Sequence, residues 1–333
     1  MKKTLSLLFA MLLILAACQR QDKPKSANKY KAPKNVATDT EGLFKMRYRL
    51  KWLDQAQFAG AYVALEKGFY LQRGLDVEIL EGGPDYPQYG SLLDSSADVV
   101  GLHLLIGMNY FNSPRPVVNI GQVLQKSSTL LIGKKSTGIA NLKDLAGKKV
   151  GVWRGQSYVR YFLDEQHLGI RSIPIDWSVN LLLNDAIDMM NATSYNEYHR
   201  IMMSGLDEDE LVVFPLAEHG FNVVEDGLYV LKDYYKKHPQ ECKDFSEATM
   251  EGWLYAFEHP EEALQIVISR MRENHRPTNP GHQLWMLQHM EELILGNGEP
   301  GKLKKSDLDF ANRILMESGE LKKPIPYEEF CPL

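Results

Sequence analysis

Trp52, Asp54, Gln57 and Phe58 place an indole, a carboxylate, an amide and a phenyl ring in one short stretch. The indole can stack on a flat heterocycle, or it can be a strand-end core tryptophan. Asp54 and Gln57 can accept from an exocyclic amine or cap a helix, and the stronger capping habit of Asp makes Gln57 the better ligand. Phe58 fits the start of a buried stripe or the lining of a cleft. A second group lies in SYNEYHRI, where Ser194 and Glu197 have capping-box spacing around Tyr195 and Asn196. In VWRGQSYV, Gly155, Gln156 and Ser157 precede a helix, where free amide donors favour an oxygen-rich group. His103 follows an apolar run and either enters a cleft or sits satisfied in the core. Glu225 and Asp226 either meet a ligand's donors or bracket a hinge, with Asp226 favoured for contact. His275, His282 and His289 recur at even spacing, but Pro277 and Pro280 break the helix that would align them, so a metal site is not expected. The motifs HExxH, paired CxxC, P-loop and GxSxG are absent from the sequence.

These groups need elements to hold them. Across residues 47–53, Tyr48, Leu50 and Trp52 alternate with Arg47, Arg49 and Lys51, which predicts a strand. From Phe58 the period changes, with Ala61, Tyr62 and Leu65 on one helical face and Gly68 where the helix should end. Leu75, Val77 and Ile79 then alternate with Asp76 and Glu78, completing a parallel crossover. In open α/β sheets ligands sit beyond the carboxyl ends of strands, which points to the turn at residues 52–58. Apolar, β-branched runs such as PVVNIGQVL and STLLIGKK continue the strand–helix alternation. From Pro239 onward the pattern is helical.

Four segments carry a family likeness: KWLDQAQFAGAYVALEKGFYLQRGLDVEILEGG, SADVVGLHL, NLKDLAGKKVGVWRG and SYNEYHRI. Together they resemble the solute-binding proteins of ABC importers that capture pyrimidine precursors of thiamine, a family that includes single-turnover pyrimidine synthases. The likeness spans residues 45–295. It implies an α/β, two-lobed type 2 periplasmic-binding-protein fold, each lobe a mostly parallel sheet flanked by helices, with the ligand cleft between lobes. On that basis residues 45–130 begin the first lobe, 131–230 form the second and 231–333 complete the first. The crossings are expected near residues 131–136 and 227–231, with the late helices packed on the first lobe. The implied ligand is formylaminopyrimidine or hydroxymethylpyrimidine, with riboflavin as an alternative. Trp52 and Tyr195 would then face the ring, Asn196 a ring nitrogen, and Glu197 the amidine-like edge that a carboxylate matches by accepting two donors. The implied partners are a permease and an ATPase, for a monomer without cofactor or catalytic residues. The synthases resemble instead a run of clustered cysteines before the return crossing, with a histidine in the helix after the first lobe's ADxGL-type strand. Here the corresponding segment, EHGFNVVEDGLYV, has no cysteine, and Gly107 and Met108 stand where the histidine would be needed.

The opening MKKTLSLLFAMLLILAAC has a basic start, a short apolar run and small residues before Cys18. This is the pattern of an export signal over residues 1–17, and LAAC resembles a lipoprotein box that makes Cys18 the lipid-bearing residue. Residues 18–44, rich in Lys, Gln, Ser, Ala, Asn and Pro, suit a flexible tether from a membrane anchor at the periplasmic or cell surface. The formal charge of −5 gives no basic footprint for nucleic acid. An exported chain permits a disulfide between Cys242 and Cys331, but spacing does not decide whether they meet.

Overall fold

The computed structural model describes residues 42–154, 156–296 and 299–333. The expected signal, Cys18, residues 18–41 of the expected tether and Gly155 lie outside the described residues. The first described strand, β1 (Phe44–Arg49), buries Met46 and Tyr48 while Lys45 faces out. Alternation continues to buried Leu50 and stops at half-buried Trp52, where the strand has already ended. A 3-10 turn (Ala56–Phe58) leads into helix α1 (Ala59–Glu66). The chain returns on β2 (Leu75–Leu80), parallel to β1 with Phe44 opposite Leu75. Strand β3 (Val99–His103), helix α2 (Leu104–Phe111) and strand β4 (Val117–Gln122) follow.

Residues 123–128 then lead into a second sheet. It contains β5 (Thr129–Lys134), β6 (Lys149–Trp153), β7 (Arg171–Ile175), β8 (Met189–Thr193) and β9 (Leu211–Pro215). Helices α3 (Ser157–Glu165) and α4 (Glu197–Met203) lie between these strands in the chain. Residues 216–225 return to the first sheet as β10 (Asp226–Leu231). The order is β2-β1-β3-β10-β4 in one sheet and β7-β6-β8-β5-β9 in the other. β10 runs antiparallel to both of its neighbours, as does β5 to both of its own. All other strands of each sheet therefore share one direction, and the reversed strand is the one the chain enters from the opposite lobe.

Both passages precede the expected positions of 131–136 and 227–231. Those ranges fall inside or just after β5 and β10, whose interiors are apolar and give no sequence break at which the lobe changes. β5 is buried on both faces, as strands covered on two sides must be. Alternate residues serve different cores: Leu131 joins the larger cluster with Val150 and Val100, whereas Leu130 and Ile132 pack with Met190 and Ile201.

Helices α5 (Pro239–Glu258), α6 (Pro260–Glu273), α7 (Pro280–Leu295) and α8 (Lys305–Glu317) complete the chain. Proline begins three of them, where its missing N–H costs nothing. α5 crosses α1 at Gly252 and Gly60, where a β-carbon on Gly252 would overlap the Gly60 carbonyl oxygen. α5, α6 and α7 cover the first lobe, but α8 does not belong to it alone, since it packs against both α2 and α3. Just beyond it, Glu320 accepts from Asn109 and from Ser157 at 2.8 Å each. Cys242 and Cys331 are free thiols, and burial pushes each up to about 12.

Candidate functional site

The carboxyl ends of β1, β6 and β8 converge on a cavity of about 70 Å³ where the two lobes meet. The first lobe contributes Lys51, Trp52, Gln55 and Gln57, and the second contributes Trp153, Gln156, Asn191, Thr193, Tyr195, Asn196 and Glu197 among its lining. Strand-end logic therefore works on both sides of the cleft. It was applied at Trp52, and the same logic at the end of KVGVW would have found Trp153. The two indoles lie 6.2 Å apart between centroids, inclined at 57°. Exposed Trp177 stands at the same distance from Trp52, so aromatic surface continues to the rim.

Each lobe braces its own wall. Gln57 Nε2 donates to Asp226 at 2.6 Å, and Lys51 forms an ion pair with the same carboxylate. Gln57 then accepts from Gln55 at 2.6 Å, which orients its amide. Asp226 does not line the cavity. It is buried behind Lys51 and Gln57 and positions both, correcting the expected direct contact. Across the cleft, Asn191 accepts from the Trp153 amide at 2.7 Å and donates to Gln156, while the Trp153 indole donates to the Asn191 carbonyl at 3.1 Å. Asn191 was missed because MMNAT reads as a buried strand, although a polar residue inside such a run is itself a signal.

Glu197 stands at the cavity and also serves the backbone before α4. Its carboxylate lines the cavity, yet it also closes the turn before α4 by accepting from Thr193 N at 2.9 Å and Thr193 Oγ1 at 2.7 Å. The capping partner is thus Thr193, because Ser194 N is used by the Ser128 carbonyl at 2.9 Å. Asn196 Nδ2 donates to the second Glu197 oxygen at 2.6 Å. Burial raises the Glu197 carboxyl, and the Thr193 donors oppose that rise. Tyr195 is buried, and its phenol is pushed well up by that burial and then by Asp226, Glu225 and Glu197, so it stays protonated. No protein hydrogen bond to its hydroxyl is found among the described residues.

Four other expected contacts are placed elsewhere. Asp54 is buried under α1 and α6, accepting from Tyr62 at 2.5 Å and Asn274 at 2.7 Å. Phe58 belongs to the core behind Gln57, beside Tyr48 and Trp253. Ser157 is exposed and held by Glu320. His103 caps α2, accepting the Leu105 amide through Nδ1 at 3.3 Å, and burial followed by Lys51 lowers it to about 3. Each side chain points away from the cavity because a cap or core partner claims it first.

Glu225 also binds inward. Its carboxylate accepts from Ser127 Oγ and Ser128 N at 3.0 Å each, Ser128 Oγ at 2.5 Å and Thr129 Oγ1 at 2.7 Å. It ties the outgoing passage to the returning one.

Two α/β lobes joined by two passages, with a lined cavity between them, have the architecture of a periplasmic binding protein. The periplasmic aliphatic sulphonate binding protein of Escherichia coli superposes with a TM-score of 0.64 at 12% identity, covering 86% of this chain and 97% of that one. Residues 55–263 match the family described as NMT1/THI5 like, and the chain belongs to that family. The formylaminopyrimidine-binding protein of Halalkalibacterium halodurans is 22% identical, with 88% of this chain and 84% of that protein aligned. The 4-amino-5-hydroxymethyl-2-methylpyrimidine phosphate synthase of Legionella pneumophila is 25% identical, with 66% of this chain and 71% of that enzyme aligned.

Proposed function

We propose that this chain is the extracytoplasmic solute-binding subunit of an ABC importer and that it captures a thiamine pyrimidine precursor, formylaminopyrimidine or hydroxymethylpyrimidine. The observation that carries the reading is the cavity, where Trp52 and Trp153 offer ring faces and Glu197 offers a carboxylate acceptor. Its lining suits recognition of a small aminated ring by stacking and charge-assisted hydrogen bonds. Because the ligand touches both lobes, binding favours the closed arrangement, which the permease and ATPase then receive. Lipid attachment at Cys18 would hold the subunit at the membrane.

The rival reading is a pyrimidine synthase. Position 107 counts against it, because a β-carbon on Gly107 would overlap the Tyr229 ring and leaves no room for a histidine. The return passage also carries no cysteine. Calorimetric titration of the full chain, refolded from guanidinium to strip carried-over ligand, tests the proposal against formylaminopyrimidine, hydroxymethylpyrimidine, thiamine and riboflavin. One pyrimidine should bind tightly. Heat from riboflavin alone, or from none of the four, would reject this ligand class. Mass spectrometry of the native protein should find a modified Cys18 at a new N-terminus, and an intact leader would end that part of the proposal.

A further inference from the structure

Beside the cavity the lobes meet a second time, where α4 of the second lobe faces α7 on the first. α7 belongs to the first lobe through Gln283, which accepts the Ala56 amide at 2.7 Å. The facing side chains form a column of stacked rings. His199 lies parallel to Trp285, with centroids 4.4 Å apart and planes 4° apart. His289 stacks on Trp285 at 4.0 Å, and the His282 ring meets His199 edge to edge, with centroids 5.1 Å apart and planes inclined at 15°. His199 Nδ1 and His282 Nδ1 stand 2.9 Å apart, and His282 Nε2 is 3.0 Å from Asn196 Oδ1.

The hydrogen positions follow from the Glu197 end. Only the amino group of Asn196 can donate to the Glu197 carboxylate, so its carbonyl oxygen must face His282. That oxygen requires a proton on His282 Nε2, which leaves a lone pair on His282 Nδ1 when the ring is neutral. His199 must then donate through its own Nδ1. One directed chain results: His199 to His282, His282 to Asn196, Asn196 to Glu197. His282 comes from the first lobe and is gripped at both ring nitrogens by the second.

We propose that His282 is a positioning residue that latches the lobes together and holds the cavity carboxylate of Glu197, and that protonation of the His199–His282 pair releases the latch, so that ligand is retained at neutral pH and lost in acid. This rests on the reading of the cavity as the ligand site and adds the coupling between that site and closure. The pair can share one added proton, but a second places two N–H groups and two positive charges against each other. The charged and titratable neighbours are Glu197, Tyr198 and Arg200 from α4 and His289 from α7, with Asn196, Asn279 and Trp285 completing the surroundings. Glu197 is separated from His282 by the Asn196 amide. Burial, then His199 and Arg200, lowers His282 to about 4, and burial, then His289, lowers His199.

An imidazole freed by opening returns towards 6.5, so the open form binds more protons below that value. Closure is therefore intact above pH 6.5 and weakens as the pH falls towards 4. One such histidine lowers the closed-to-open ratio about 10–30-fold between pH 7.5 and 5.0.

The test titrates formylaminopyrimidine into the full chain and into His282→Gln at pH 7.5, 6.5 and 5.0, because the ligand's own titration is common to both. Wild-type affinity should fall about tenfold more than that of the variant between the extremes. Equal slopes would overturn the latch. If formylaminopyrimidine does not bind at any pH, the ligand reading fails, and the latch must then hold the lobes together by itself at neutral pH, which nitrogen-15 NMR of the ligand-free histidines judges. Those spectra should find His282 protonated at Nε2 and titrating well below 6.5, with His199 protonated at Nδ1. Ordinary titration of both rings near 6.5 would overturn it on that arm.

Discussion

Glu225→Ala should destabilise the folded chain by about 3–5 kcal/mol. The carboxylate is buried and accepts three hydroxyls and one amide, all within 3.0 Å, from Ser127, Ser128 and Thr129. Hydrogen bonds to a charged acceptor contribute about 1.5–3 kcal/mol each, but simple addition overstates the loss. The hydroxyls can turn to new partners, and Thr129 already lies 2.9 Å from the Tyr158 hydroxyl. The Ser128 amide has no such freedom, and removing the carboxylate leaves it buried without an acceptor. A cost of 3–5 kcal/mol is the usual result of breaking a buried charged network at one partner. With a urea slope of about 3 kcal/mol/M, the unfolding midpoint should move down by about 1–2 M. Glu225→Gln keeps one acceptor oxygen and should move it by roughly a third as much. A midpoint shift below about 0.3 M in the alanine variant would refute the claim that this network ties the two passages together.

Glu225 also predicts a pH dependence. Burial raises its carboxyl above the ordinary 4.5, with Ser128 and Thr129 opposing. The folded state therefore holds this proton more tightly than the unfolded one, so its contribution is largest below 4.5 and declines as the pH rises through the folded value. The stability lost in Glu225→Gln should accordingly be greater at pH 4.5 than at pH 7, and equal losses at the two would reject the raised carboxyl. Gly252→Ala should cost about 3 kcal/mol or more, because the added methyl meets the Gly60 backbone, which cannot turn aside as a side chain can. A variant that melts within 2 °C of wild type would show that α1 and α5 are packed less closely than this.

Local periodicity carried much of the architecture. The change from alternation in residues 47–53 to a helical stripe, and back to alternation at Leu75, identifies a crossover because a strand and a helix bury different spacings. Trp52 was visible as the aromatic residue just past a strand end. The passages were harder to place: β5 and β10 lie inside apolar runs, and such a run looks the same whichever sheet receives it.

The local chemistry of residues 52–58 and 194–197 identified two turns rich in polar and aromatic groups, since spacing and residue type are properties of neighbouring residues. Which of those groups reach the cavity depended on distant ones. Asn274 claims Asp54, Glu320 claims Ser157, and Asp226 holds Gln57 in place. Trp153 and Asn191 enter the site only because β6 and β8 bring a second lobe against the first. The pairing of His199 with His282 follows in the same way, from two helices that belong to different lobes. Periodicity can specify an element and its buried face, whereas a polar side chain's partner is set by competition among every donor and acceptor that folding brings within about 3 Å.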